Sequence, residues 1–276
     1  MSGTPPSGTP STPVDGLRLA IGTLSVFPVR PGVVDRRAGG VAMTIAPFVG
    51  ALIGTVGAAV PAVAPWLGIG PLLASALAVA VPALLTRGLH LDGLADLADG
   101  LGSGRPAERA LDIMKQSDIG PFGVVTLILT LLVQVAALSE VTSAGAGPAA
   151  LITACAAGRL ALTWACRTGV PAARPDGLGT MVAGTVRRGP ALAVTALVLL
   201  GTAPLALTYE IGAGSGLVPG VLGPPLAVLA GLSAAWALRR RAVRRLGGIT
   251  GDVLGALVEI ATATALVVYA VTAGSP

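Results

Sequence analysis

The residues of this chain with the clearest chemical potential are three aspartates and its single histidine, gathered in residues 88–100, G-L-H-L-D-G-L-A-D-L-A-D-G. Asp92, Asp96 and Asp99 stand at i, i+4 and i+7, so on a helix their directions differ by only about 40° and they form one acidic stripe. Like charges that close repel and raise one another's pKa unless a cation sits among them. A divalent ion resolves the repulsion, and ligands that are all oxygen favour Mg²⁺ or Mn²⁺ over zinc. With one histidine, a histidine-based metal cage is excluded. A lone aspartate between buried segments is usually a solvated face. Here six of the thirteen acids (Asp92, Asp96, Asp99, Glu108, Asp112 and Asp118) crowd into about a tenth of the chain, which favours a site. His90 points roughly opposite the stripe if the helix already contains it, and joins the stripe only if the helix starts near Asp92 or Gly93.

Further candidates lie far away in sequence. Arg159 falls midway along an apolar stretch, where facing lipid would cost roughly 2.5–3.5 kcal/mol, so it should face a polar cavity or a carboxylate. Glu259 follows Asp252 by seven residues, two helical turns on the same face. Residues 247–252, G-G-I-T-G-D, read as a glycine turn opening a helix, where backbone N–H groups near Gly248 and Thr250 could hold a phosphate. The same residues also make an ordinary helix cap. Arg109 and Lys115, close behind the stripe, could offset phosphate charge.

The elements that must position these groups follow from composition. At 53% hydrophobic, 11% charged and a mean hydropathy of +0.83, the chain is far too apolar for a soluble domain. The pattern predicts an all-α, polytopic membrane bundle. Seven spans are expected, at about residues 41–63, 69–86, 120–138, 149–168, 190–209, 217–238 and 253–272. Residues 87–118 between the second and third should form a re-entrant or interfacial helical segment, with a new short helix near Pro106. Residues 1–14, almost wholly Ser, Thr, Pro and Gly, read as a disordered tail, and residues 15–276 as one membrane-embedded catalytic domain. No signal peptide is visible. Residues 17–27 are too short to span and read as an interfacial half-helix. Cys155 and Cys166 read as small packing residues.

Loop charge orients the bundle. With seven spans, segments 28–40, 87–118, 169–189 and 239–252 share one face and carry fifteen of the eighteen Lys and Arg residues, whereas the loops of the other face carry none. Basic loops collect on the cytoplasmic side, so the N-terminus is expected inside, the C-terminus outside and the stripe facing the cytoplasm. The cluster at 239–245 is expected to serve orientation and attraction to anionic lipid.

Four motifs resemble the cobalamin synthase (adenosylcobinamide-GDP ribazoletransferase) family: residues 88–100; I-M-K-Q-S-D-I-G-P-F-G at 113–123; R-P-D-G-L-G at 174–179; and G-G-I-T-G-D-V-L-G-A-L-V-E at 247–259. The likeness runs from about Leu17 to the end. It implies a Mg²⁺-dependent, multi-pass enzyme of the cell (inner) membrane, joining adenosylcobinamide-GDP to α-ribazole or its 5′-phosphate with release of GMP. It also implies that Asp92, Asp96 and Asp99 form the metal motif, with His90 beside them, Asp252 in a second motif, and Lys115 and Ser117 in a third. Leu97 and Asp118 depart from the family pattern, the first standing where a small polar residue is common and the second where a basic one is. Membrane lipid is an expected partner, nucleic acid is not, and a homo-oligomer stays open. Two other readings compete. A CDP-alcohol phosphotransferase would need D-G-x-x-A-R, but Asp92-Gly93 is followed by Leu94, Ala95 and Asp96. A divalent-cation transporter would use Asp92, Asp252 and Glu259 as a midplane site.

Overall fold

The computed structural model describes residues 10–30, 32–213 and 217–273. Every regular element among them is a helix: α1 (Pro13–Leu24), α2 (Arg36–Val63) with a 3-10 turn after it (Ala64–Leu67), α3 (Pro71–Leu85), α4 (Leu89–Gly102), α5 (Ala107–Ile113), α6 (Pro121–Ser143), α7 (Gly147–Ala165), α8 (Gly177–Val182), α9 (Arg188–Ala213), α10 (Leu217–Leu246) and α11 (Gly251–Ala273). Six stretches (α2 with its turn, α6, α7, α9, α10 and α11) are long and apolar enough to cross a membrane, or seven if the bent pair α3 and α4 counts as one crossing. The protein is thus the polytopic α-helical membrane bundle its composition requires.

Close backbone approach holds the centre. α2 lies along α7 with Gly50 against the Cys155 carbonyl, and a Cβ at Gly54 would come 2.9 Å from the Ile152 Cα. Small residues allow this approach where water exclusion alone drives nothing between helices.

Two features differ from expectation. α1 begins at Pro13, inside the expected tail, because Thr12 and Asp15 form a reciprocal capping box and the Ser11 hydroxyl donates to Asp35 at 2.6 Å. Residues 1–9 of that tail, like residues 214–216 of the expected 210–216 loop, lie outside the described residues. α10 runs on to Leu246, so Arg239, Arg240, Arg241, Arg244 and Arg245 ride on helix, not loop. Arginine is a good helix former, and cations are favoured in a last turn.

The break after α3, at the start of the segment expected to be re-entrant or interfacial, places the acidic stripe. α3 has 15 residues, about 22 Å of helix against the roughly 30 Å hydrocarbon core. The chain then bends by 89° into α4. Two consecutive left-handed residues make the corner, Arg87 (φ 55°) and Gly88 (φ 70°); only the glycine adopts that conformation freely. α4 therefore turns away from α3 and lies across the first turns of α6 and α11, outside the six long apolar spans.

Candidate active site

Gly93 sets the distance between α4 and α11. A Cβ there would lie 2.8 Å from the Asp252 carbonyl oxygen and 2.9 Å from its Cα, and Gly255 meets His90 in the same crossing. This approach brings the stripe of α4 beside the first turn of α11. Gly93→Ala is expected to push the two apart, with an overpacking cost of about 1–3 kcal/mol. Thermal unfolding in detergent should show a lowered midpoint; an unchanged one would mean the crossing is looser than it looks.

Two cavities flank Asp92, and this residue lines both. The larger, of about 1010 Å³, is bounded by Arg87, Asp92, Asp96, Lys115, Ser117 and Asp118. The smaller, of about 280 Å³, is bounded by His90, Asp92, Arg174, Asp176, Thr250 and Asp252. Acids and bases alternate around the pair. Burial, then the charges of Asp92, Asp252 and Asp99, push the Asp96 carboxyl up to about 7, with Arg174 opposing. Arg174 Nη1 lies 3.6 Å from the Asp252 carboxylate, and its Nη2 donates to the Leu111 carbonyl at 2.7 Å. Its buried Nε has no partner. Thr250 caps α11 by accepting from the Val253 N–H at 3.2 Å, and its hydroxyl donates to Asp252 at 3.2 Å.

His90 is inside α4 and 3% exposed, turned off the stripe as a helix starting at Leu89 dictates. Its Nδ1 lies 3.4 Å from Arg159 Nη2, while its buried Nε2 has no partner. Arginine offers no acceptor, so Nδ1 accepts and Nε2 carries the proton. Burial and the adjacent guanidinium both favour this neutral ring.

The structure gathers Asp92, Asp96, Asp252, Lys115, Ser117, Thr250 and His90 around these cavities and leaves five candidates elsewhere. Asp99, on the same stripe, is 8% exposed and accepts from the Gly120 N–H at 2.8 Å and the Gly123 N–H at 3.0 Å, so both its oxygens are used at the start of α6. Arg109 sits on the exposed face of α5, 3.8 Å from Asp112. Arg159 and Glu259 line a separate chamber of about 20 Å³ with Gln134, whose amide donates to Glu259 at 2.8 Å. Gly248 packs its backbone onto Ala172 and Ala173, where Ala173 N–H donates to the Ile249 carbonyl at 3.0 Å, so the glycine turn is a clasp between loops. Sequence reasoning missed Arg174 as a site residue, although it opens the R-P-D-G-L-G motif.

Mg²⁺ can be tested against this donor set. Among the described residues no three His, Cys, Asp or Glu side chains form a ready-made cage. That suits Mg²⁺, which takes one or two carboxylates and fills its shell with water and substrate phosphate. Carboxylates that repel one another at Asp96, with Arg174 opposing them, are a fitting place for such an ion.

Comparison with known proteins gives a consistent picture. Residues 16–270 match the family model described as Cobalamin-5-phosphate synthase. The chain is 46% identical over 269 residues to an adenosylcobinamide-GDP ribazoletransferase of Frankia casuarinae, covering 94% of this chain and 95% of that one. It is 41% identical over 231 residues to the protein of that name from Bradyrhizobium diazoefficiens, covering 81% and 80%. No solved structure matches the chain.

Proposed function

This chain belongs to the cobalamin-5-phosphate synthase family, and from that premise we propose that it joins adenosylcobinamide-GDP to α-ribazole or its 5′-phosphate, releasing GMP and closing the nucleotide loop of a cobalamin. The observation that carries the site assignment is Asp92, a residue that lines both cavities. Two substrates meeting at one phosphorus need two spaces that open on one cluster of charge.

Asp92 and Asp96, with Asp252 near, would hold Mg²⁺, which when bound neutralises the pyrophosphate and the charge that develops on departing GMP. The protein's own groups do the rest. Lys115 from the larger cavity and Arg174 from the smaller offset the remaining phosphate charge. His90 Nε2–H donates to a phosphate oxygen, since its tautomer leaves it no lone pair there to act as a base. A ribose hydroxyl of the ribazole forms the new P–O bond to the phosphorus attached to cobinamide, and the P–O bond to GMP breaks. The hydroxyl proton passes to a carboxylate of the stripe.

A transporter reading fares worse, because Glu259 is bonded to Gln134 in a separate small chamber that Asp92 and Asp252 do not line. Release of GMP from adenosylcobinamide-GDP by purified protein in liposomes, set beside Mg²⁺ flux in the same vesicles, tests the choice. Flux without GMP release would reverse it.

The site faces the cytoplasm of the cell membrane in this reading, supported by the basic residues at that end of the helices. Ser143→Cys, at the end of α6, should react with an impermeant thiol reagent on intact cells, and Glu108→Cys on α5 only after the membrane is opened; both positions are exposed. Cys155 and Cys166 are fully buried and should stay silent. Labelling of Glu108→Cys from outside would invert the orientation.

Acidity gives a further expectation. With the Asp96 carboxyl raised to about 7, the metal-free protein holds a proton there below that pH, and Mg²⁺ must displace it. Mg²⁺ affinity should fall about tenfold per unit as pH drops below about 7 and level off above it. The same raised pKa means the metal-free fold loses stability as pH climbs from about 4 to about 7, because the folded state holds the proton more tightly. Calorimetric titration at several pH values reads both affinity and proton release. A flat profile, or an Asp96→Asn variant with the same slope, would remove Asp96 from the metal.

A further inference from the structure

Away from the reaction, α7, α10 and α11 enclose a groove of about 490 Å³. Its wall is apolar, with Leu229, Leu232 and Leu257 beside the rings of Trp164 and Trp236, and two cations, Arg167 and Arg239, line it as well. Arg239 is 9% exposed although it lies seven residues before Leu246, the end of α10, which places it about 10 Å inside the helix. Neither guanidinium has an ion pair or hydrogen-bond partner among the described residues. The charges acting on Arg239 are Arg167 and Arg240, both of its own sign. A cation so buried and so placed costs free energy until an anion joins it.

The surroundings narrow the class of anion. Leu229 is 45% and Trp236 51% exposed on a helix that crosses the membrane, so the groove opens towards lipid. Arg240 lies 4.7 Å over the Trp236 ring, an amphipathic pairing suited to headgroup depth. The Trp164 N–H is already satisfied by Thr195 at 2.9 Å, which leaves its ring for apolar contact. A small inorganic anion would answer the arginines and leave the apolar wall bare. A zwitterionic lipid would bring a cation of its own to a site with two already.

We propose that this groove binds an anionic phospholipid, its phosphate between Arg167 and Arg239 and an acyl chain along Leu229, Leu232 and Leu257. Each arginine near a charged bilayer surface strengthens such binding by about fivefold, so the pair should give roughly 25-fold. The site is independent of the transferase assignment.

The test uses the full chain purified in detergent, mixed with dioleoylphosphatidylglycerol and dioleoylphosphatidylcholine, with retained lipid read by native mass spectrometry. Phosphatidylglycerol should be retained in preference. Arg167→Gln and Arg239→Gln should each lower that preference about fivefold, and an Arg241→Gln, Arg244→Gln pair, at exposed positions outside the groove that in detergent face no charged bilayer surface, should leave it unchanged. Inorganic phosphate should not displace the lipid. Equal retention of the two lipids, an equal loss in the exposed pair, or displacement by phosphate would each overturn the proposal. Arg167→Gln lies beyond the end of α7 and carries the same test should Arg239→Gln fail to fold.

Discussion

Asp92→Asn and Asp96→Asn are each expected to lower turnover at least about a hundredfold, the loss usual for a group that stabilises charge at a reacting phosphate. Both side chains line the larger cavity and neither caps a helix there, so folding should survive. Asp99→Asn should behave differently. Its two oxygens accept from the first turn of α6, and an amide in that place turns an NH₂ towards one of the two donors. The unsatisfied N–H should cost about 1–3 kcal/mol of stability. Mg²⁺ affinity, turnover and the unfolding midpoint, measured together on all three variants, separate the cases. Asp99→Asn with a normal midpoint and lost Mg²⁺ affinity would return Asp99 to the metal, and near-normal turnover of the other two at limiting Mg²⁺ would remove them from it.

That contrast also marks what the sequence could reveal. Composition and loop charge predicted the bundle, and spacing predicted one acidic face on α4. Yet spacing reports direction around a helix, while residues seven apart are also about 10 Å apart along it. Asp99 shares the direction of Asp92 but reaches the start of α6. Glu259 shares the direction of Asp252 but sits deeper, with Gln134. In both pairs the angle was legible and the neighbour was not, because the neighbour comes from another helix. Arg174 shows the reverse case. Its place at the head of the R-P-D-G-L-G motif marked the loop but gave it no partner, and only the contact of that loop with α11 brings it to Asp252. The glycine turn at 247–249 was legible as a turn, but whether its backbone served a ligand or another loop depended on residues 171–173.

The far end of the chain supplies the second large effect. Asp252 reaches the stripe through the Gly93 crossing, faces Arg174 at 3.6 Å and accepts from Thr250. Two roles fit those contacts. It could hold phosphate or metal together with Asp92, or it could only fix Arg174 and the first turn of α11. The first role makes Asp92 and Asp252 parts of one unit, and removing either should cost nearly what removing both costs. Asp92→Ala and Asp252→Ala should therefore each lower turnover by about a hundredfold or more, and the double variant by little beyond the worse of the two. Independent sites would instead add in free energy to within about 0.5 kcal/mol, multiplying the losses to roughly ten-thousandfold. A multiplied loss in a well-folded double variant would leave Asp252 as a positioning residue. Arg174→Lys then separates the remaining possibilities, since it keeps the charge beside Asp252 but loses the planar fork that also reaches the Leu111 carbonyl. Turnover retained in Arg174→Lys together with non-additive aspartates places Asp252 at the reacting phosphate, because charge alone is then what the arginine supplies.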